Sequence, residues 1–303
     1  AAAAGLAKAQ KVDLPPPYHT PSANNRPQVI DRPDGAKVNL PPGFRIEPFL
    51  TDGFLKPRYM ILGPSGELLI SDSDRSGSVH MVNLDPKTFA PRDRKKLIDG
   101  LDRPFGMDFF GGDLYVAETT SLKRYSYNKQ GKSVGAGKEI VPMHEYDKGH
   151  WTRAVIFDQS AKKMYLTIGS ASNVDGGEPR PRAAIHRYNP DGTGQEYVAE
   201  GTRNPTSIHF YPGTKNLWAA IQERDGLGDR LVPDYLTQIK EGGFYGWPYA
   251  YIGPNEDPRR KGEKPDLVKK TIVPDIVLGA HVAVIDFRFY TGKQFPAKYR
   301  GGA

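Results

Sequence analysis

Four short stretches concentrate the side chains able to do chemistry. HEYDKGHWTR at 144–153 places His150 three residues before Arg153, and GTRNP at 201–205 supplies Arg203 and Asn204. IQERDGLGDRLVPD at 221–234 interleaves Glu223, Asp225, Asp229 and Asp234 with glycines, and GGFYGWPYAY at 242–251 packs aromatics against Gly and Pro. A histidine at a channel mouth can act as a general base, because its pKa lies near working pH. On its own, His150 reads first as a structural or surface histidine. A guanidinium and an amide suit a carboxylated ligand, since Arg forks onto carboxylates, although Asn-Pro is also ordinary turn chemistry. Oxygen-rich, glycine-bearing loops can hold Ca²⁺, but this spacing is not the EF-hand pattern. The aromatic stretch reads most simply as a rigid corner. His19, His80, His186 and His209 read as structural, with His144 and His281 as secondary candidates.

The elements that position these residues are legible as a repeat. An apolar run, a short turn and a compact apolar strand ending in small or acidic residues begin at Pro57, Pro104, Thr152 and Pro205, at intervals of 47, 48 and 53 residues. A fifth phrase begins at Ala283, 78 residues later, and the chain stops before its second strand. A strand-turn-strand period near fifty is the signature of β-propeller blades, which stack around an axis and leave a channel. The outer strands read at 78–85, 121–129 and 183–194, each alternating and ending in Asn, Asp or Gly. Residues 222–282 break the period, and insertions in repeat folds gather on one face, often the binding face. Residues 1–39 read as an extended or disordered arm over the first blade, and 40–303 as the propeller. Alternation from Phe44 to Phe49 predicts a half-buried strand that completes a blade.

Composition narrows the classes. The absence of cysteine excludes disulfides, thiolate metal sites and cysteine nucleophiles. No apolar run reaches the length of a membrane span. The net charge of +7 comes from scattered clusters at 91–96, 257–264 and 269–270, without the aromatic interleaving of a nucleic-acid surface. The small-residue head, AAAAGLAKAQ, reads either as the remainder of a cleaved export signal or as a flexible end.

Taken in order, GHWTR, TIGSASNVDGG at 167–177, GTRNP, QERDGLGDRLVPDYL and GGFYGWPYAYIG resemble the sorbosone dehydrogenase branch of the soluble quinoprotein sugar dehydrogenases. LPPGF at 40–44 and GLDRPFGMDF at 100–109 are similar to that family's opening blades, so the resemblance runs from about residue 35 to the end. It implies an all-β, six-bladed propeller, of which this chain lacks the last blade to blade and a half, together with basic residues that clamp the cofactor. Its members use pyrroloquinoline quinone and Ca²⁺ to oxidise a sugar or sugar-derived aldehyde or alcohol, passing electrons to a cytochrome-like or dye acceptor. His150 then matches the base that removes the hydroxyl proton. Arg203 and Asn204 match the pair on the quinone oxygens, with Arg153 also assigned to the cofactor. The backbone carbonyls of Asp225 and Gly226 match the calcium ligands. In the glucose-oxidising branch an Asp precedes the histidine, where this chain has Gly149. A periplasmic or secreted location follows, with the signal removed. The alternatives are a non-catalytic binding propeller and a Ca²⁺-dependent lactonase.

Overall fold

The computed structural model describes residues 12–22 and 28–303. The small-residue head at 1–10 lies outside them. Among the described residues, strands form successive antiparallel sheets. The first comprises β1 (Pro57–Leu62), β2 (Leu68–Asp72), β3 (Gly77–Leu84) and β4 (Pro91–Leu101). The second comprises β5 (Met107–Phe110), β6 (Asp113–Ala117), β7 (Ser121–Asn128), the short β8 (Ser133–Val134) and β9 (Lys138–Pro142). The third is β10 (Val155–Asp158), β11 (Lys163–Ile168), β12 (Ala184–Tyr188) and β13 (Glu196–Glu200), to whose outer edge the later Gly243–Phe244 strand adds in parallel. The fourth begins with β14 (Asn204–Phe210), β15 (Leu217–Gln222) and β16 (Pro233–Gln238). The chain then leaves through β17 (Gly243–Phe244), β18 (Ala250–Tyr251), β19 (Asn255–Glu256) and α1 (Pro265–Lys270). It returns as β20 (Ile276–Ala280), which completes the fourth sheet against β16.

These are propeller blades, and each begins on one of the repeated phrases. Four are formed by the described residues, against the six that the resemblance implies. The sequence itself carries only four complete phrases, and the fifth, from Ala283, forms no regular strand. It runs beside β14, where Asp286 accepts hydrogen bonds from Ser207 Oγ and from His209 Nε2 at 3.0 Å. Phe287 and Phe289 stack edge-on with each other and Phe289 with Trp218. Arg288 reaches across to the first blade, over the Tyr59 ring at 5.0 Å. The last segment therefore touches both the fourth blade and the first.

Apolar faces of neighbouring blades meet. Leu69, Val79 and Met81 of the first blade share a cluster with Phe105, Met107 and Leu114 of the second, and Ile185 and Val198 of the third pack with Ile208, Ala219 and Ile221 of the fourth. Neither face of a blade can stay wet, and this forces the stacking.

Two expectations are corrected. Phe44–Phe49 forms no strand; Phe44 instead packs against the rings of Phe295 and Tyr299, at 4.8 and 5.4 Å. The arm's described residues 12–20 meet the third and fourth blades and the insertion rather than the first blade. Val12 and Leu14 pack on the cluster between the third and fourth blades, and Tyr18 N donates to Leu227 O at 2.7 Å. The insertion loop answers with Gly228 N and Asp229 N, which donate to Ser22 Oγ and Thr20 Oγ1 at 3.1 and 2.9 Å.

His186 is structural, as its position in a strand implies. It is fully buried, its Nε2 donates to Pro181 O at 2.7 Å, and burial pulls its pKa down to about 4. The unfolded chain binds this proton below about 6.5, the folded chain only below about 4. Its contribution is thus complete above the unfolded value and is lost as pH falls toward 4. The unfolding free energy of the wild type is expected to drop about 2 kcal/mol further between pH 7 and pH 5 than that of His186→Gln. Urea titrations at the two pH values measure this, and parallel losses would show that the ring is not held neutral.

Candidate active site

The innermost strands β1, β5, β10 and β14 begin at one end of the axis, and an open cavity of about 180 Å³ lies there. Its wall draws on every blade: Arg58 from the first, Phe105 before the second, His150 and Thr152 before the third, and Asn204 from the fourth. Gln222 at the end of β15 and Ile285 of the last segment complete it.

His150 sits half-buried in this wall. Its Nδ1 lies 2.8 Å from Ser170 O and 3.0 Å from Ser170 Oγ. A carbonyl can only accept, so Nδ1 carries the proton and Nε2 carries the lone pair. Nε2 has no partner among the described residues. Burial, followed by the nearby positive charge of Arg203, lowers the pKa of the ring to about 4. At neutral pH, His150 is therefore an uncharged imidazole with an open basic nitrogen.

The orienting groups were not visible as such in the sequence. Ser170 closes the TIGS run after β11, and a small polar residue there is the only signal it gave. Gly149 has φ +73, and a Cβ on it would lie 2.2 Å from Ala171 O. No side chain fits there, and the imidazole donates its Nδ1–H to Ser170 O of the other loop. Gly169 is a spacer: a Cβ there would come 2.5 Å from Asn204 Oδ1 and 2.7 Å from His150 Cβ.

Asn204 is buried in the cavity wall. Thr152 Oγ1 donates to its Oδ1 at 3.5 Å, its Nδ2 donates to Gln222 Oε1 at 2.8 Å, and Gln222 Nε2 donates to Val284 O at 2.9 Å. This chain of bonds fixes the amide and leaves its second N–H unspent.

Arg203 does not line the cavity. Its Nε donates to Asn173 O at 3.0 Å, Nη1 to Glu223 O at 2.6 Å and Nη2 to Asn173 Oδ1 at 3.0 Å. Held by these acceptors, it acts on His150 through its charge. Arg153, which the resemblance assigns to the cofactor, does not line the cavity either. It is fully buried and donates to the carbonyls of His150, Thr152 and Tyr146 at 2.8, 2.9 and 2.6 Å. It holds the loop that presents His150.

The four acidic residues of the insertion do not converge. Glu223 is buried, which raises its pKa to about 8, and Asp234 Oδ1 accepts from Glu223 N at 2.9 Å. Asp225 O already accepts from Asn173 Nδ2 at 2.9 Å, and Asp225 Oδ1 meets His281 Nδ1 at 3.0 Å. Its other carboxylate oxygen lies 3.7 Å from the Arg203 guanidinium, a charge that opposes a dication. Calcium thus does not fit Asp225 and Gly226 as arranged. Among the described residues no three His, Asp or Glu side chains gather around a metal position, so the carboxylate set of a lactonase is not formed by them. No helix of the described residues is long and apolar enough to cross a membrane.

The family described as TrAA12-like matches residues 38–249. An uncharacterized protein of Borreliella burgdorferi is 29% identical over 280 residues, covering 86% of this chain and 69% of its own. The holo pyranose dehydrogenase PQQ domain of Coprinopsis cinerea superposes with a TM-score of 0.72 at 18% identity, over 84% of this chain and 72% of that one. The calcium structure of the Trichoderma reesei family AA12 enzyme gives 0.68 at 19%, over 80% and 72%. The PQQ-bound aldose sugar dehydrogenase of Streptomyces coelicolor gives 0.57 at 19%, over 78% and 71%. At these identities the superpositions establish a shared propeller fold.

Proposed function

The chain belongs to the TrAA12-like family, and from that footing we propose that it is an oxidoreductase of sugars. In this reading it oxidises a sugar or sugar-derived aldehyde or alcohol of the sorbosone type, with pyrroloquinoline quinone in the axial cavity. The observation that carries the proposal is the His150 ring, neutral and with Nε2 open at the cavity because Nδ1–H is spent on Ser170 O.

The cavity's unspent donors suit such a cofactor. Among the described residues, Asn204 keeps one amide N–H without a partner, and Arg58 donates to the neighbouring Pro57 O alone, at 3.3 Å. These would hold quinone and carboxylate oxygens. When bound, the quinone supplies the two-electron acceptor for the substrate's hydride. His150 Nε2 takes the proton of the substrate hydroxyl, so that oxidation forms the carbonyl without building positive charge on oxygen. Trp151 and Phe105, packed edge-to-face at 5.9 Å, give this wall an apolar side that limits water. Burial, with the Arg203 charge added to it, keeps the imidazole unprotonated at neutral pH. A cytochrome-like or dye acceptor then removes the electrons, and a periplasmic or secreted location belongs to the same reading. Calcium at Asp225 and Gly226 has no part in these steps.

The test is reconstitution. Purified protein is mixed with the quinone, with and without Ca²⁺, and dye reduction is followed across aldoses and sorbosone. Turnover that requires the quinone is expected. Quinone absorption changes without reduction by any sugar would establish the binding-module alternative, and no binding at all would remove the cofactor.

A further inference from the structure

Two irregular loops meet at His150. Residues 144–153 carry the imidazole, and residues 169–178 carry the carbonyl that receives its Nδ1–H. Their backbones meet where His150 N donates to Ser170 O at 3.0 Å, and Ser170 N in turn donates to Arg203 O at 2.7 Å. Two charged side chains outside the cavity add a second connection between the loops.

Glu178 fixes the second loop immediately after Ser170. Its Oε2 accepts from Ala171 N at 2.7 Å, and its Oε1 from Ser172 N and Ser172 Oγ, both at 2.8 Å. Arg182 fixes the first: its Nη2 donates to Lys148 O, two residues before His150. The pair closes on itself, with Arg182 Nε 3.4 Å from Glu178 Oε2 and side-chain exposures of 1% and 11%. A shielded ion pair thus forms a strut from one loop to the other.

The geometry points to Glu178 and Arg182 as positioning residues that keep the Ser170 carbonyl against the His150 ring, the proton on Nδ1 and Nε2 open. A hydrogen bond weakens steeply once its distance and angle relax. If the loops part, the ring is free to carry its proton on Nε2, and that tautomer cannot accept one from a substrate. The catalytic consequence rests on His150 being the base, but the tautomer can be read in protein without cofactor.

The experiment is ¹⁵N NMR of ring-labelled histidine at pH 7, with the His150 signal identified by its loss in His150→Gln. A single Nδ1–H tautomer is expected in the wild type. Glu178→Ala and Arg182→Met are expected to show both tautomers in exchange. Arg182→Lys, which keeps a charge facing Glu178, is expected to stay near the wild type. Where alanine prevents folding, Glu178→Gln retains the shape and one acceptor. In quinone-loaded protein the first two variants should lose kcat roughly tenfold with KM within about twofold. Folded variants that keep the wild-type tautomer, even with a lower Tm, would overturn the proposal and leave the pair a purely structural strut. Exchange of tautomers in a protein that oxidises no sugar would uphold the positioning role and overturn the dehydrogenase reading alone.

Discussion

Replacing His150 by alanine is expected to lower quinone-dependent dye reduction roughly 10²–10⁴-fold, the usual contribution of a positioned general base. The loss should fall on kcat more than on quinone binding, because His150 donates nothing to the cofactor from Nε2 and its Nδ1–H is already used. The pH dependence gives an independent signature. The base works in its neutral form, and burial together with Arg203 lowers the folded pKa to about 4. The activity of the free enzyme should therefore hold from neutral pH down to about 5 and fall only as pH drops through about 4. An ordinary exposed histidine would lose its activity near 6.5. Removing the Arg203 charge, as in Arg203→Met, should move the acidic limb upward. Steady-state kinetics in buffers from pH 3.5 to 8 measure both effects. A variant within about threefold of the wild type at every pH would exclude His150 as the base.

How far this site could be read beforehand depended on which residues signal their role locally. The blades were legible because each is written contiguously: an alternating run, a turn and a second strand lie within about twenty residues. The blade count was not legible, since it came from resemblance and not from phrases in this chain. His150 and Asn204 line the axial cavity because their motifs precede inner strands, and those strands begin at the axis. Arg153 lies beside them in the sequence but turns into its own loop. An arginine beside a catalytic histidine looks like a ligand contact, yet its direction is set by three carbonyls of its own loop. Asp225 failed differently, since acidic spacing along a loop says nothing about where each carboxylate points, and its partners His281 and Asn173 are 56 and 52 residues away. Ser170 and Glu178 act through a backbone carbonyl and through contacts to backbone amides. Such roles leave almost no mark on residue type.

Arg153→Met separates the two readings of that residue and carries the largest expected stability effect. In the structure the guanidinium satisfies three partly buried carbonyls, and the Arg153 carbonyl accepts from Gly106 N at 3.0 Å at the top of the second blade. Methionine restores the apolar stem but no donor, so the carbonyls of Tyr146, His150 and Thr152 are left without their partner. Each orphaned buried group costs about 1–3 kcal/mol, offset in part by loop rearrangement and entering water. A net loss of about 3–5 kcal/mol is expected in the cofactor-free protein, with a fall in Tm on the order of 10 °C. Arg153→Lys should recover only part, because an ammonium on a shorter reach cannot span the three acceptors. Thermal unfolding without quinone, paired with a quinone titration, decides the matter. If Arg153 instead contacts the cofactor, the methionine variant will unfold at the wild-type temperature and bind quinone weakly. If the structural assignment holds, the apoprotein will be destabilised, and any loss of quinone affinity will disappear once the titration is run at a temperature where the loop around His150 remains folded.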